Sequence, residues 1–437
     1  GFADNNSYTS IVIYLSNTKL QYSPPHPLVF VLFFFYMWSY FYQVNNVIPN
    51  CKIWCIYIDI DNIDLYIYIV NKGKEETIYF IKITNTTRQK KTKTKTKQKM
   101  KVFIAIALCA LAAVGNAQEF EELVATVNNN PKSSWKAELP TRFNSTADAK
   151  ILCGTWLKDH PKYMRLPERK YEDNYDYTAL PTSFDARTAH SNCTVISKVR
   201  DQSSCGSCWA FGSTESFEDR RCIATGKDVE FSTEDTASCC RSFACGFSQG
   251  CNGGQPSAAL QWMAKTGVVT GGDYPDIGSG SSCRPYTLKP CAHHVPATPK
   301  YAKCPTSEYP TPKCAASCSE STYPKSYSDD KTKGSNAYSV SGVQNIMREL
   351  VENGPLAVAF TVYGDFPTYK SGVYTHQSGQ MLGGHAVEMV GYGTEDGKDY
   401  WLVKNSWNNE WGDGGFFKIA KGTDECGIED DVTGIEF

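Results

Sequence analysis

Of the chain's 18 cysteines, 14 lie beyond residue 180, from Cys193 to Cys426. In an oxidising compartment such density is a disulfide framework. The upstream sequence points to that compartment. Met100 and Lys101 open a short basic region, Val102–Val114 is an apolar run, and Gly115-Asn116-Ala117 is a small-x-small cleavage site. Residues 100–117 therefore read as a secretory signal peptide. A buried helix is the weaker reading, because a polar segment follows at once. Secretion licenses the disulfides and glycosylation of Asn144 and Asn192, each in an Asn-x-Ser/Thr sequence. The count is even, so parity alone does not single out a free thiol.

Residues 1–99 do not read as a domain. They begin at Gly1, run through Leu28–Trp38 and Ile56–Asp61, and end in the Lys/Thr run Lys90–Lys97. Their surplus of Phe, Tyr, Ile, Asn and Lys, residues of AT-rich codons, reads as non-native upstream translation. A membrane anchor is the alternative, but the apolar run Leu28–Trp38 is shorter than the ~20 residues of a span. Residues 118–179 are polar, with a modest helical pattern at Phe120, Leu123, Val124 and Val127 and a Tyr/Asp-rich end, Tyr171–Tyr177. The net charge of −2 is not diagnostic. No metal, nucleotide or nucleic-acid pattern stands out.

Chemistry concentrates in Arg200–Phe211. Trp209, Phe211, Phe217 and Cys222 recur as on an amphipathic helix ending at Gly226. Ser207 suits the N-cap, which puts Cys208 in the first turn, where unpaired N–H groups and the helix dipole favour a thiolate. A backbone N–H beside the sulfur and the Gln202 amide could form an oxyanion hole.

Such a nucleophile needs a base, and the chain has only seven histidines. His26 and His160 fall in segments read as absent from the working protein, and His190 and His376 stand among ordinary surface residues. His293 and His294 are adjacent in a Cys- and Pro-rich loop. His385 follows two glycines and opens the strand-like run Ala386–Gly391. A second run, Tyr400–Asn405, ends in Asn405, whose amide can hold an imidazole without removing its charge. Trp407 and Trp411 could shield that bond from water.

Gln202, Cys205-Gly206-Ser207-Cys208-Trp209, Gly384-His385-Ala386 and Asn405-Ser406-Trp407 resemble the papain family of cysteine peptidases, whose known signature includes the Cys-Gly-Ser-Cys-Trp run. His385 and Asn405 lie farther from Cys208 than the roughly 130–150 residues usual there, so an insert separates the two halves. The insert is similar to that of the cathepsin B group. The resemblance implies an α+β, two-domain fold: a mostly helical left domain to about Trp262, a β-rich, barrel-like right domain from about Ala337, and a catalytic cleft between. It implies a propeptide over 118–179, matched at Leu152-Cys153-Gly154-Thr155, and a mature peptidase over 180–437 starting Leu180-Pro181-Thr182-Ser183-Phe184-Asp185.

The same resemblance implies the pairs Cys193–Cys222, Cys205–Cys251, Cys239–Cys314, Cys240–Cys245, Cys283–Cys318 and Cys291–Cys304, with Cys208 and Cys426 reduced. It makes Cys208, His385, Asn405 and Gln202 catalytic. Gly253, Gly254 and Trp407 would line the substrate path. The Pro-rich stretch of about 283–318 resembles an occluding loop, in which His293 and His294 bind a substrate's C-terminal carboxylate; two solvated histidines or a zinc site are the alternatives, and disulfide pairing of the neighbouring thiols argues against zinc. Asp201 would hold the first of these histidines. The family's second latch is altered: Pro299-Lys300 lies near its arginine position and Glu410 stands where Asp is usual. Asp431 falls where a glutamate accepts arginine at P2.

The implied function is a zymogen-derived cysteine peptidase, with both internal cleavage and release of C-terminal dipeptides. Its partners would be protein and peptide substrates, its own propeptide and cystatin-like inhibitors, with no cofactor, nucleic acid or stable membrane span. It would work as a monomer in a lysosome-like acidic compartment or outside the cell. An endopeptidase with a non-functional loop is the main alternative. A catalytically dead binding homologue would lack Cys208, and a disulfide-rich inhibitor module would not need the His385 and Asn405 strands.

Overall fold

A computed structural model describes residues 119–437 apart from 141, 144, 293–301 and 304–307; upstream it describes only the backbones of four strands. Asn144, His293, His294, Cys304, Lys300 and the signal-peptide stretch lie outside the described residues. The chain divides into two units, Gly1–Gly115 and Asn116–Phe437. In the first, Val12–Tyr14, Cys51–Asp59, Asp64–Lys72 and Glu76–Ile83 form an antiparallel sheet in the order first, fourth, third, second. The Ile and Tyr surplus that argued against a domain also favours strands, and regular backbone results.

The second unit is built around the helix Cys208–Thr225. Gly226 ends it in the left-handed region (φ 70°), donating its amide to Cys222 O at 2.7 Å. Two expectations are corrected. Ser207 stands at the N-cap, but its hydroxyl pairs with Tyr286 Oη at 3.1 Å and does not cap the helix. The helix is also not amphipathic: only Arg221, Ile223, Ala224 and Thr225 escape burial. It is enclosed by the helices Thr233–Cys239 and Pro256–Lys265 on one side and the strands Leu356–Tyr363 and Met381–Glu395 on the other. Gly212 permits the close approach, since a Cβ there would sit 2.9 Å from Val387 O.

Nine of the described strands form one mixed sheet, and Cys291–Ala292 pairs separately, in parallel, with Ala302–Lys303. The order of the mixed sheet is Trp135–Ala137, Tyr369–Tyr374, Phe416–Ala420, Lys398–Lys404, Met381–Glu395, Leu356–Tyr363, Asp431–Ile435 and Ala337–Val340, with Phe184–Asp185 paired to Met381–Glu395. Only the Tyr369–Tyr374 and Phe416–Ala420 pair is parallel among these. The two strand-like runs read from the sequence fall on Met381–Glu395 and Lys398–Lys404, with Asn405 one residue past the second. One apolar cluster, including Phe360, Trp401 and Phe417, fills the sheet side. A second, including Trp209, Phe217, Leu260 and Trp262, fills the helical side. This is the α+β, papain-like arrangement expected.

Five disulfides are described: Cys193–Cys222, Cys205–Cys251, Cys239–Cys314, Cys240–Cys245 and Cys283–Cys318. Cys291 is also disulfide-bonded. Cys153, Cys208 and Cys426 are free.

The leading segment is part of the same unit. A helix over 119–128 contributes Phe120, Leu123 and Val127 to the sheet-side core. Trp135–Ala137 extends the sheet, and Trp135 Nε1 donates to Thr375 O at 2.9 Å. A short helix, Thr146–Ile151, is capped by Ser145, whose hydroxyl accepts from Asp148 N. Beyond it Thr155 is bridged to Gly254 on one side and to Gly384 on the other.

Candidate active site

Three elements converge on one sulfur. Cys208 opens the central helix, His385 lies on Met381–Glu395, and Asn405 follows Lys398–Lys404; all three are fully buried. The two strands are neighbours, so the His385 and Asn405 side chains meet: Asn405 Oδ1 lies 2.8 Å from His385 Nε2. Asn405 Oδ1 also accepts from Ser406 N at 2.8 Å, which fixes the amide's orientation. Trp407 covers the pair, its ring 4.9 Å from that of His385, and Trp411 meets Trp407 edge to face at 5.1 Å. Burial pushes the Cys208 thiol up, but the His385 imidazole beside it, the Thr155 hydroxyl and the Ala386 N–H outweigh that, and the thiol lies below its ordinary range.

Gln202 is aimed at the same point. Its Oε1 accepts from Ser406 Oγ at 2.8 Å, and its Nε2 donates to Cys205 O at 2.7 Å and Leu152 O at 3.0 Å. A carbonyl oxygen thus already sits on the amide proposed for an oxyanion hole. Thr155 Oγ1 stands 3.1 Å from Cys208 Sγ. The backbone between them is gripped on both sides: Gly254 N donates to Gly154 O at 2.9 Å, Trp156 N to Gly254 O at 2.8 Å, and Thr155 N to Gly384 O at 2.9 Å. Glycine is required here. A Cβ on Gly253 would meet Gly154 O at 2.8 Å, one on Gly384 would meet Thr155 O at 2.3 Å, and one on Gly154 would meet Gly206 O at 1.9 Å.

Asp431 lies farther along the path, 4% exposed, and accepts from Tyr163 Oη at 2.5 Å. Burial pushes its carboxyl up to about 6. Gln255 holds the same stretch, accepting from Met164 N at 2.5 Å and donating to Lys162 O at 2.9 Å. At the other end Asp201 pairs with Arg142 at 3.1 Å, and Arg142 also donates to Trp407 O at 2.8 Å and Cys291 O at 2.9 Å. In this state Asp201 therefore holds an arginine of the leading segment. Asn192 is exposed. Among the described residues there is no cluster of His, Cys, Asp and Glu that could hold a metal, and no helix long and apolar enough to cross a membrane.

Sequence reasoning missed a second polar group behind the first. Lys404 Nζ lies 2.7 Å from Glu388, 3.5 Å from Asp219 and 3.8 Å from Glu215, all at most 1% exposed. Burial pushes Glu215 up to about 7 against the pull of Lys404 and Arg200. Burial and the neighbouring Asp219 push Glu388 well above its ordinary range, and burial raises Asp219 too. A partial signal existed, because Glu215 and Asp219 are four apart on a helix and Lys404 adjoins Asn405.

A family profile described as papain family cysteine protease matches residues 180–435. The chain belongs to the papain family of cysteine peptidases. It is 43% identical over 320 residues to the cathepsin B-like cysteine proteinase 6 of Caenorhabditis elegans, covering 72% of this chain and 82% of that one. It is 40% identical over 316 residues to a cathepsin B-like cysteine proteinase of Schistosoma japonicum, covering 71% and 89%. Among solved structures it is similar to proCathepsin B S9 from Trypanosoma congolense, with a TM-score of 0.58 and 31% identity over 72% of this chain and 96% of that one. The protein is a cathepsin B-like cysteine peptidase in zymogen form.

Proposed function

We propose that residues 180–437 are the working enzyme, that 118–179 are its inhibitory propeptide, and that Cys208 is the nucleophile. Its sulfur adds to the scissile carbonyl carbon, and Gln202 Nε2 with the Cys208 N–H stabilises the oxyanion. His385, held by Asn405, passes its proton to the leaving amine and then takes one from the water that releases the acyl group. The observation that carries this reading is the lowered thiol of a fully buried Cys208 beside an imidazole bonded to Asn405. Leu152 O on Gln202 and Thr155 over the sulfur fit a propeptide that occupies the same groups without presenting a cleavable bond.

Gly253 and Gly254 hold extended substrates by their backbone, Trp407 closes the far side of the cleft, and Asp431 makes the P2 pocket accept basic as well as apolar residues. His293 and His294 bind a C-terminal carboxylate, with Asp201 passing from Arg142 to His293 when the propeptide leaves. The enzyme then removes dipeptides as well as cutting internally. Internal cleavage alone is the second reading, favoured by Lys300 and Glu410 at the altered latch. The enzyme acts on proteins and peptides as a monomer, takes cystatin-like inhibitors, carries glycan at Asn192 and Asn144, and works in a lysosome-like compartment or outside the cell. Residues 100–117 direct it there, and 1–99 are not part of the working protein.

The test is timed mass spectrometry of one peptide, with free or amidated C-terminus, incubated with activated enzyme at acid pH with thiol. Stepwise dipeptide loss from the free form alone is expected, and His294→Ala should reduce it while sparing internal cuts. Equal internal cleavage of both forms, without dipeptide loss, would leave the Cys208 chemistry standing and remove the role of His293 and His294.

A further inference from the structure

The propeptide keeps its hold on the enzyme well past the cleft. Beyond Tyr163 it reaches Ala337–Val340, the strand at one end of the sheet. There Arg169 N donates to Ser339 O at 2.9 Å and Ser339 N to Pro167 O at 3.0 Å, with Glu168 bridged in parallel to Ser339. The segment thus adds a short strand to an open edge.

Its side chains then enter an acidic pocket beside that edge. Glu349, on the helix Val343–Asn353, is fully buried. One of its oxygens receives Arg169 Nε at 3.0 Å and Tyr171 Oη at 2.9 Å; the other faces Arg220 at 3.1 Å and Tyr338 Oη at 2.7 Å. Arg169 Nη1 also reaches Glu436 at 2.9 Å, and its guanidinium lies over the Tyr338 ring, 4.7 Å from the centroid. Farther on, the Arg348 guanidinium lies 3.7 Å from the Tyr175 ring centroid.

Removal of the propeptide takes one cation and one hydroxyl from Glu349 and unpairs both backbone groups of Ser339. Glu349 keeps Arg220 and Tyr338, so the pocket is set for a second cation. An open edge next to such a pocket selects an extended chain by its backbone and reads its side chains through the pocket. The edge strand adjoins Asp431–Ile435, so this surface continues the cleft beyond the Asp431 end.

We propose that, once the propeptide is cut away, this surface is an exosite for extended polypeptide substrates carrying an arginine followed two residues later by a tyrosine. The proposal rests on the reading of 118–179 as a propeptide that is removed. It gives the mature enzyme a preference among proteins that its cleft alone does not supply, and it leaves small substrates untouched.

The full chain would be activated, its new N-terminus read by mass spectrometry, and Cys208 blocked by alkylation. A labelled peptide spanning residues 166–178, protected at both ends, would then be titrated by fluorescence anisotropy. Saturable binding is expected, weakened about tenfold or more by Arg169→Ala in the peptide, which also loses the buried Glu349, and about two- to fivefold by Glu436→Gln in the enzyme, the loss of an exposed pair. With unblocked enzyme the peptide should slow cleavage of protein substrates bearing the motif and leave a short dipeptidyl amide unaffected. No saturable binding to an enzyme that starts near Leu180 would overturn the exosite alone. Equal inhibition of the short amide would place the peptide in the cleft and also overturn it. Retention of residues 165–179 on the active enzyme would instead sink the propeptide boundary, and the exosite with it.

Discussion

The helix Cys208–Thr225 carries two buried polar sites built on opposite principles. At its first turn, Cys208, His385, Asn405 and Gln202 are matched by hydrogen bonds: Asn405 to His385, Ser406 to Asn405 and Gln202, Gln202 to carbonyl oxygens. Farther along, Glu215 and Asp219 meet Glu388 and Lys404, three carboxylates around one ammonium. The first site needs little net charge to hold its geometry. The second cannot be neutral unless protons remain on it. Alignment for chemistry and the clamp that fastens the helix to both strands are therefore separable, and the clamp is the part that responds to pH.

The largest effect expected is that of Lys404→Met. It strands three buried carboxylates, at a cost of about 3–5 kcal/mol, read as the change in unfolding free energy in urea at neutral pH. A change below about 1 kcal/mol, the size of an exposed pair, would mean the cluster carries little charge, and the contrast would collapse.

Gln202→Ala tests the other site. Loss of one oxyanion donor should lower kcat by about 10²–10³, with a smaller stability loss than Lys404→Met. Comparable destabilisation by both variants would show that the two sites are one mechanical unit.

A smaller, more discriminating effect concerns pH. The Glu215 carboxyl is pushed up to about 7, against roughly 4.3 in an unfolded chain. Between those values the folded chain holds more protons than the unfolded one. The stability this group contributes is therefore full below the lower value and lost as pH rises through the upper one. Glu388 is raised too and acts in the same direction. Thermal unfolding from pH 5 to 8 should show a falling midpoint, and Glu388→Gln should flatten it. An unchanged slope would assign the pH dependence to groups elsewhere.

Much of the cleft was legible because its signals are local. Cys208 sits in a five-residue signature, His385 follows two glycines, and Asn405 adjoins Ser406-Trp407. Gly253 and Gly254 could be read for the same reason: a glycine pair announces a close backbone approach. The clamp was not legible. Glu215, Asp219, Glu388 and Lys404 are residue types normally found in water, and only the enclosure of the helix from both sides makes them interior. The same enclosure defeated the amphipathic reading of 208–225, since periodicity reports a face only when one face is wet. Ser207 has the right chemistry for a cap, but Tyr286 takes its hydroxyl from far along the chain. The leading segment's course past Tyr163 was hidden in the same way, because Arg169 and Tyr171 find Glu349 across a sequence gap that no short-range pattern spans.

All five described disulfides lie between Cys193 and Cys318, on the side that carries Cys208. The strands that carry His385 and Asn405 hold no described cross-link. A milieu reducing enough to keep Cys208 a thiol is thus also one that can unfasten its own half of the molecule. Among the described links the most accessible is Cys239–Cys314, whose second cysteine is exposed while Cys205, Cys240, Cys245 and Cys283 are sealed. It tethers the insert beside Glu308, whose carboxylate accepts from Gly206 N at 2.7 Å, two residues before Cys208. Among the described links, the one that reducing surroundings reach most readily is therefore a leash on the insert.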